Sequence, residues 1–261
     1  MLVQEELIAR VRSLCEADQR LDAAVEYGSF PQGYGDAYSD VEFWIFVASG
    51  QGPALDPVDW IGAVAAPLSV GVNDFGAHVA IFDGLIRGEF HFATADDMAS
   101  VMSWPARGAD VDRMIVVDHR GALRDALAAV PRDPAVPDTK EEIETLCLRF
   151  ANWLVLALNV AGRSEQLRAH DALDHVRRHL LWMARLTEGA TDTWLTPSRR
   201  AEEDLSRESL ASARSTFDPD PMTALSASWR WGRAVWTALA GRHGFAVPPA
   251  LRAALDAALA P

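Results

Sequence analysis

The stretch from residue 25 to residue 47 constrains the fold most, because a glycine-rich turn there separates two apolar runs. Ala23 to Tyr27 predicts a first strand, and the continuous apolar run from Phe43 to Val47 predicts a second strand that is covered on both faces. Between them, Gly28 lets the backbone approach a ligand closely because it has no Cβ. Ser29 adds a hydroxyl and an N–H group at the start of a predicted helical turn, where unpaired N–H groups favour an anion such as phosphate.

Two carboxylates precede the second apolar run. Asp40 and Glu42 are two residues apart on the predicted strand, so both side chains point to the same face. Carboxylates this close repel each other and need a cation, and Mg²⁺ prefers carboxylate oxygens and usually also holds substrate phosphates. The pattern therefore predicts a Mg²⁺ and nucleotide site at Asp40 and Glu42; a capping pair in a polar loop is the alternative.

A predicted β-hairpin supplies a third carboxylate. His78 to Phe82 forms the first strand, Asp83-Gly84 is a favoured two-residue turn, and Leu85 to Phe92 forms the return strand. Glu89 lies in the middle of the return strand beside a Phe, where a carboxylate needs a partner. One interpretation makes Glu89 a third carboxylate beside Asp40 and Glu42, where it would bind a metal or take the proton from an attacking hydroxyl. An edge-strand Glu that faces water is the alternative.

Two further polar residues share the face of Glu89, because side chains alternate along a strand. His91 is either a substrate contact or a histidine with a structural role, and the sequence favours neither. Arg87 either pairs with an acid or reaches a phosphate group, and this too stays open.

The motif has a recognisable pattern. Gly-Ser, ten residues and Asp-x-Glu resemble the signature of the nucleotidyltransferase superfamily, here Gly28, Ser29, Asp40 and Glu42. The fuller run from Tyr27 to Phe43 looks like the lincosamide nucleotidyltransferases, and the run from Ile81 to Phe92 is similar to that family's strand with the third acid. Relative to the wider superfamily, the second acid is Glu42 where Asp is commoner, as in the lincosamide-like subgroup.

The resemblance implies a fold, a reaction and a set of roles. The expected α+β fold has an N-terminal nucleotidyltransferase-type mixed sheet flanked by helices, followed by a C-terminal helical bundle. The implied reaction moves AMP from ATP to a hydroxyl of lincomycin or clindamycin and so inactivates the drug. Asp40 and Glu42 would bind Mg²⁺ and the nucleotide, with Glu89 as catalytic base or shared metal ligand. The family also implies a homodimer.

Charge and cysteine usage limit the partners and the compartment. The chain has 261 residues and a net charge of −13, which disfavours a nucleic acid and attracts a cationic small molecule. Cys15 and Cys147 fall in apolar helical patterns, so we expect buried free thiols and no secreted disulfide framework. The N-terminus has no signal-peptide core, and the most apolar window, Trp60 to Val72, is too short to span a membrane. A cytoplasmic protein is therefore expected.

A proline-rich segment, Pro131 to Asp138, marks the expected domain boundary. It separates a nucleotidyltransferase domain at residues 1–132 from a helical domain at residues 139–261, with a linker at about residues 131–138. Thr139 and Glu142 form a capping box at the start of the first of about five helices. The other four are predicted to begin near Glu165, Pro197, Pro221 and Pro248.

Alternatives remain for the helical half and for the function. Its Trp residues are interpreted as core, with a drug-binding wall or a dimer interface as alternatives. His175 and His179 have a spacing that zinc can use, but no Cys joins them, so a structural helix face is favoured. The alternative functions are an aminoglycoside nucleotidyltransferase, a non-catalytic binding or antitoxin module, and a protein AMPylation enzyme.

Overall fold

The computed structural model describes residues 1–51 and 55–259, and the chain divides into two compact units, Met1–Ala135 and Val136–Pro261. The first unit mixes strands with helices, and the second is helical in its described part. The chain is therefore an α+β protein, as the sequence predicts. The sequence predicts a polar loop from Ser49 to Pro57, and residues 52–54 of that loop lie outside the described residues.

The first unit combines one sheet with helices and single turns. In chain order its elements are α1 Val3–Ala17, β1 Leu21–Glu26, α2 Ser29–Gln32, β2 Val41–Val47, α3 Pro57–Val64, β3 Ser69–Val72, β4 His78–Phe82, β5 Ile86–Thr94, α4 Val111–Met114, β6 Ile115–Asp118 and α5 Ala122–Ala129. Short 3₁₀ segments at Asp83–Leu85 and Ala95–Ser103 flank β5.

The described strands form a mixed six-stranded sheet in the order β3-β4-β5-β2-β1-β6. β2 and β5 run parallel, and every other neighbouring pair is antiparallel. Helices α1 and α3 cover one face and pack on side chains such as Phe43 and Phe90. Helix α5 and the Ala95–Ser103 segment cover the other face around Phe46. β2 is thus buried on both sides, which explains its continuous apolar run.

Several predicted boundaries in this unit need correction. β2 begins at Val41, so Asp40 directly precedes the strand and does not lie on it. The hairpin turn has three residues, Asp83–Leu85, because Leu85 also takes a positive φ of 59°. The sequence pattern missed β3 altogether. It is a short edge strand with mostly exposed residues, so it has no apolar periodicity to reveal it.

The second unit is built on three long helices. Its described elements are α6 Lys140–Gly162, α7 Gln166–Glu188, α8 Ala201–Asp204, α9 Arg207–Ser215, α10 Pro221–His243 and α11 Pro249–Ala258. The capping box of Thr139 and Glu142 is present at the start of α6. The side chains of Phe150, Leu180 and Trp236 are fully buried in the core that α6, α7 and α10 share.

The prediction of a helix starting near Pro197 is wrong. The fully buried Arg185 of α7 donates hydrogen bonds to the backbone carbonyls of Ala190, Pro197 and Arg199, at 2.6–2.8 Å. These bonds draw three carbonyls of the segment towards one side chain and so hold the segment in an irregular conformation. Helix begins only at Ala201.

The aromatic and histidine residues of this unit have packing roles. Core packing, the role predicted for the Trp residues of this unit, is confirmed for four of them. Buried in the core are Trp194, Trp229, Trp231 and Trp236. The two histidines with zinc-like spacing are engaged separately. The ring of His175 stacks on Trp153 with centroids 3.9 Å apart, and Nδ1 of His179 lies 2.7 Å from the His175 carbonyl oxygen.

Both cysteines are buried free thiols, as expected, and burial raises the pKa of Cys15 and of Cys147 to about 12. Among the described residues, helix α6 is long and apolar enough to cross a bilayer by length and composition alone. One face of α6, including Phe150 and Leu154, is buried in the helical core, and core helices commonly pass the same test.

Candidate active site

The turn after β1 depends on glycine at one position. Gly28 has φ 80° and ψ −151°, a region that only glycine occupies readily. A Cβ added there would lie 1.5 Å from Oε2 of Glu42, so the Glu42 carboxylate occupies the space beside the glycine. Ser29 is buried and begins α2, a single helical turn of four residues. Gly28 thus allows a carboxylate of β2 to approach the backbone of the turn.

The parallel pairing of β2 with β5 brings two acids together. Glu42 and Glu89 are register partners, so their side chains leave neighbouring strands on the same face of the sheet. The N–H of Tyr27 donates to the Glu42 carbonyl at 3.1 Å and extends the β1–β2 ladder to the glycine turn. The end of β1 and the beginnings of β2 and β5 therefore meet at one end of the sheet.

Arg87 connects the third carboxylate to the first. Its Nη1 donates to Oδ2 of Asp40 and its Nη2 to Oε2 of Glu89. The exposed fractions of the side chains are 35% for Arg87, 36% for Asp40 and 16% for Glu89, so the bridge lies at the edge of solvent. A guanidinium matches this arrangement because its planar fork offers two donors to two acceptors at once.

Glu89 accepts hydrogen bonds on both carboxylate oxygens. Oε2 pairs with Arg87, while Oε1 lies 3.3 Å from the Tyr27 hydroxyl and 3.2 Å from Nε2 of His91. Burial raises the pKa of Glu89, but the hydrogen bond and charge of Arg87, helped by His91, outweigh it and leave the pKa below its usual value. Glu89 is therefore ionised at neutral pH and suits binding of a cation or acceptance of a proton.

Aromatic rings enclose the inner side of the site. The ring of His91 lies 5.0 Å from that of Trp44 and 6.2 Å from that of Tyr27, centroid to centroid, and Trp104 packs on both Trp44 and Tyr27. Burial and the nearby charges of Glu89 and Glu42 raise the pKa of Tyr27 well above its usual value, so its hydroxyl stays protonated and acts as a donor.

The structure brings the predicted site residues to one end of the sheet. They are Gly28, Ser29, Asp40, Glu42, Glu89 and His91. Sequence reasoning missed Tyr27 as a partner of Glu89, and its place directly before Gly-Ser, at the end of a strand, was the available signal. It also left the partner of Arg87 open, and the structure pairs this arginine with two acids.

The three acids are the expected ligands of Mg²⁺, so their arrangement matters. In chemical type they fit, since hard divalent ions select carboxylate oxygens. Within residues 1–51 and 55–259, however, no group of three or more His, Cys, Asp or Glu side chains has the geometry of a metal centre. The guanidinium of Arg87 lies between Asp40 and Glu89 in place of such a grouping. The metal role of Asp40, Glu42 and Glu89 stays a prediction.

Comparisons with known proteins bear on the helical unit. Residues 139–256 match the family model described as "Lincosamide nucleotidyltransferase-like, C-terminal domain". The helical unit resembles the lincosamide nucleotidyltransferases. This match covers less than half of the chain and lies outside the Gly-Ser and Asp-x-Glu motif, so the resemblance noted from the motif is supported by a different part of the chain.

The remaining comparisons are less specific. Among solved structures, an aminoglycoside 6-adenyltransferase from Bacillus subtilis aligns with 98% of this chain and 95% of its own, at 11% sequence identity and a TM-score of 0.45. No curated protein matches the sequence.

Proposed function

We propose that this protein transfers a nucleoside monophosphate, AMP from ATP, to a hydroxyl of a small-molecule antibiotic. The observation that carries the proposal is the meeting of the Gly28 turn, Glu42 and Glu89 at one end of the sheet, with Asp40 tied to Glu89 through Arg87. A lincosamide is the proposed acceptor, because the helical unit matches the lincosamide nucleotidyltransferase-like domain.

In the proposed mechanism, Gly28 and Ser29 bind phosphate oxygens of the nucleotide. Asp40 and Glu42, with Glu89, would hold Mg²⁺, which would neutralise charge on the triphosphate. Glu89 accepts the proton of the acceptor hydroxyl. That hydroxyl oxygen forms the new bond to the α-phosphorus, and the bond to the leaving pyrophosphate breaks. Tyr27 and His91 keep the Glu89 carboxylate oriented through its Oε1.

His91 has a second proposed role at the acceptor side of the site. Its imidazole is partly exposed and lies within hydrogen-bond distance of Glu89, so a hydroxyl placed against the carboxylate would also meet the ring. The net charge of −13 favours acceptors that carry a protonated amine. That charge does not separate lincosamides from aminoglycosides.

The proposed homodimer is checked by measuring the molar mass in solution by light scattering.

The proposal is tested by mass spectrometry of the small molecules. Purified protein is incubated with ATP and Mg²⁺ and, separately, with lincomycin, clindamycin and a panel of aminoglycosides. A lincosamide should gain one AMP, and Asp40→Asn should abolish that gain. If AMP is found only on aminoglycosides, the proposed reaction stands and the proposed lincosamide acceptor is wrong. ATP binding with no modified compound would contradict an antibiotic acceptor and favour a binding module or a protein acceptor.

Glu89→Gln separates the base from the rest of the site. Loss of a general base costs on the order of 10²–10⁴-fold in rate, so turnover should fall by that amount while ATP binding persists. Asp74→Asn is the matched control, because Asp74 is an exposed acid in the turn before β4, away from the motif. Turnover of Glu89→Gln close to that of wild type would remove Glu89 from the chemistry.

A further inference from the structure

Arg87 has a position that the proposed mechanism does not use. Its two terminal nitrogens contact Asp40 and Glu89, two of the three carboxylates proposed to hold Mg²⁺. Arg87 lies two residues before Glu89 on the same face of β5, whereas Asp40 precedes β2, so the guanidinium joins the beginnings of two parallel strands. One positive charge is therefore shared between these two carboxylates.

The contacts on Glu89 leave little room for a second cation. Arg87 occupies Oε2, and Tyr27 and His91 occupy Oε1. A divalent ion that binds both Asp40 and Glu89 would have to share their oxygens with a guanidinium. Arginine stays charged at any physiological pH, so it cannot reduce this repulsion by losing a proton.

We propose that Arg87 is an exchangeable counter-ion, which must leave its bridge between Asp40 and Glu89 before a divalent cation can bind there. The inference rests on the proposed function, because it concerns the metal site of that reaction. The released guanidinium has a new partner available in the triphosphate, which offers several negatively charged oxygens to a forked donor. The bridge thus makes metal binding weak without nucleotide and couples it to arrival of the triphosphate.

The test measures Mn²⁺ binding to the full-length protein without nucleotide, by electron paramagnetic resonance of the unbound ion. Removing a positive charge next to a divalent ion should tighten its binding, so Arg87→Gln should bind Mn²⁺ on the order of tenfold more tightly than wild type. Arg87→Lys keeps the charge and should stay within about threefold of wild type. Equal affinity of Arg87→Gln and wild type would overturn the proposal, as would an equal gain in both variants.

Arg124→Gln controls for net charge. Arg124 forms an exposed ion pair with Asp112 in the same unit, so this variant removes one positive charge from an acidic chain without touching the bridge. Its Mn²⁺ affinity should equal that of wild type. A gain as large as that of Arg87→Gln would mean that overall charge, and not the bridge, limits binding, which would contradict the proposal.

A measurement on unmodified protein covers the case in which Arg87→Gln does not fold. Phenylglyoxal modifies arginine, and peptide mass spectrometry locates the modified positions. Arg87 should react several-fold faster at a Mg²⁺ concentration that saturates the site than with EDTA, whereas the rate at Arg124 should not change. An equal rate at Arg87 in both conditions would overturn the exchange.

Asp40→Asn distinguishes failure of this proposal from failure of the proposed function. If Asp40→Asn loses Mn²⁺ binding while Arg87→Gln gains none, only the exchange is wrong. If Asp40→Asn binds Mn²⁺ as well as wild type does, the metal site lies elsewhere, so the exchange and the proposed metal role of Asp40 both fail, while the mass-spectrometric assay tests AMP transfer independently.

Discussion

Gly28→Ala tests whether catalysis requires the Glu42 carboxylate to lie beside the glycine turn. The new Cβ would lie 1.5 Å from Oε2 and 2.5 Å from the carboxyl carbon of Glu42. Ordinary contact between such atoms begins near 3.5 Å, so the carboxylate must move by about 2 Å. The end of a Glu side chain can rotate away, and the fold should therefore survive the substitution.

Two effects of Gly28→Ala can be given magnitudes. Backbone strain at φ 80° and ψ −151° costs about 1–3 kcal/mol for a residue with a Cβ, which lowers the Tm by several degrees. Misplacing a reacting group by even about 1 Å costs on the order of 10²-fold in rate, so kcat should fall by at least that factor. The assay is AMP transfer followed by mass spectrometry, with the Tm from calorimetry.

Gly76→Ala is the matched control for Gly28→Ala. Gly76 lies in the turn before β4 and has the same φ of 80°, but a Cβ there would meet nothing within 4 Å. Its substitution also places a Cβ at positive φ, so it should lower the Tm, but it should leave kcat unchanged. If Gly28→Ala turns over within about threefold of Gly76→Ala, then the position of Glu42 beside the turn does not matter for catalysis.

Two further predictions concern stability. The carboxylate of Asp18 accepts hydrogen bonds from the side chains of Arg20 and Trp60. The bond from Arg20 is the largest cause of a lowered pKa of Asp18, and it outweighs the effect of burial. A lowered pKa stabilises the fold above the unfolded pKa of about 3.9, so Asp18→Asn should cost about 1–3 kcal/mol at pH 7, and urea unfolding should show this cost shrinking as the pH falls below about 4. In α10, a Cβ on Gly232 would lie 2.2 Å from the Phe150 ring, so Gly232→Ala should lower the free energy of unfolding by about 1–3 kcal/mol, whereas Gly241→Ala, which meets nothing within 4 Å, should raise it by up to about 1 kcal/mol.

Local signals account for the helices that the sequence predicts well. Three signals each act within one turn of the chain, so the sequence carries them directly. They are the capping box at Thr139, the left-handed Gly189 after α7, and Asp220-Pro221 at the start of α10. The incorrect prediction of a helix at Pro197 has a non-local cause. Its conformation is set by Arg185, which lies on the preceding helix and takes up carbonyls of the intervening segment.

The same distinction applies to the site. Alternation along β5 predicts that Arg87, Glu89 and His91 share one face, because it depends only on neighbours in the sequence. The approach of Glu89 to Glu42 depends on a parallel pairing between strands that β3 and β4 separate along the chain. No local pattern specifies that pairing. The resemblance of the Ile81–Phe92 segment to a known family's strand implies only that Glu89 is the third acid of the site.

The partner of Arg87 depends on a balance of charge over the assembled site. Three carboxylates at one end of a sheet would repel one another, and each that is partly buried needs a donor or a cation. Arg87 supplies one positive charge to two of them, and the Tyr27 hydroxyl supplies a neutral donor to Glu89. The sequence left open whether Arg87 meets an acid or a phosphate. An exchangeable Arg87 would pair with the acids before the metal binds and with a phosphate afterwards. The two interpretations therefore exclude each other only if the bridge to Asp40 and Glu89 persists when the metal binds.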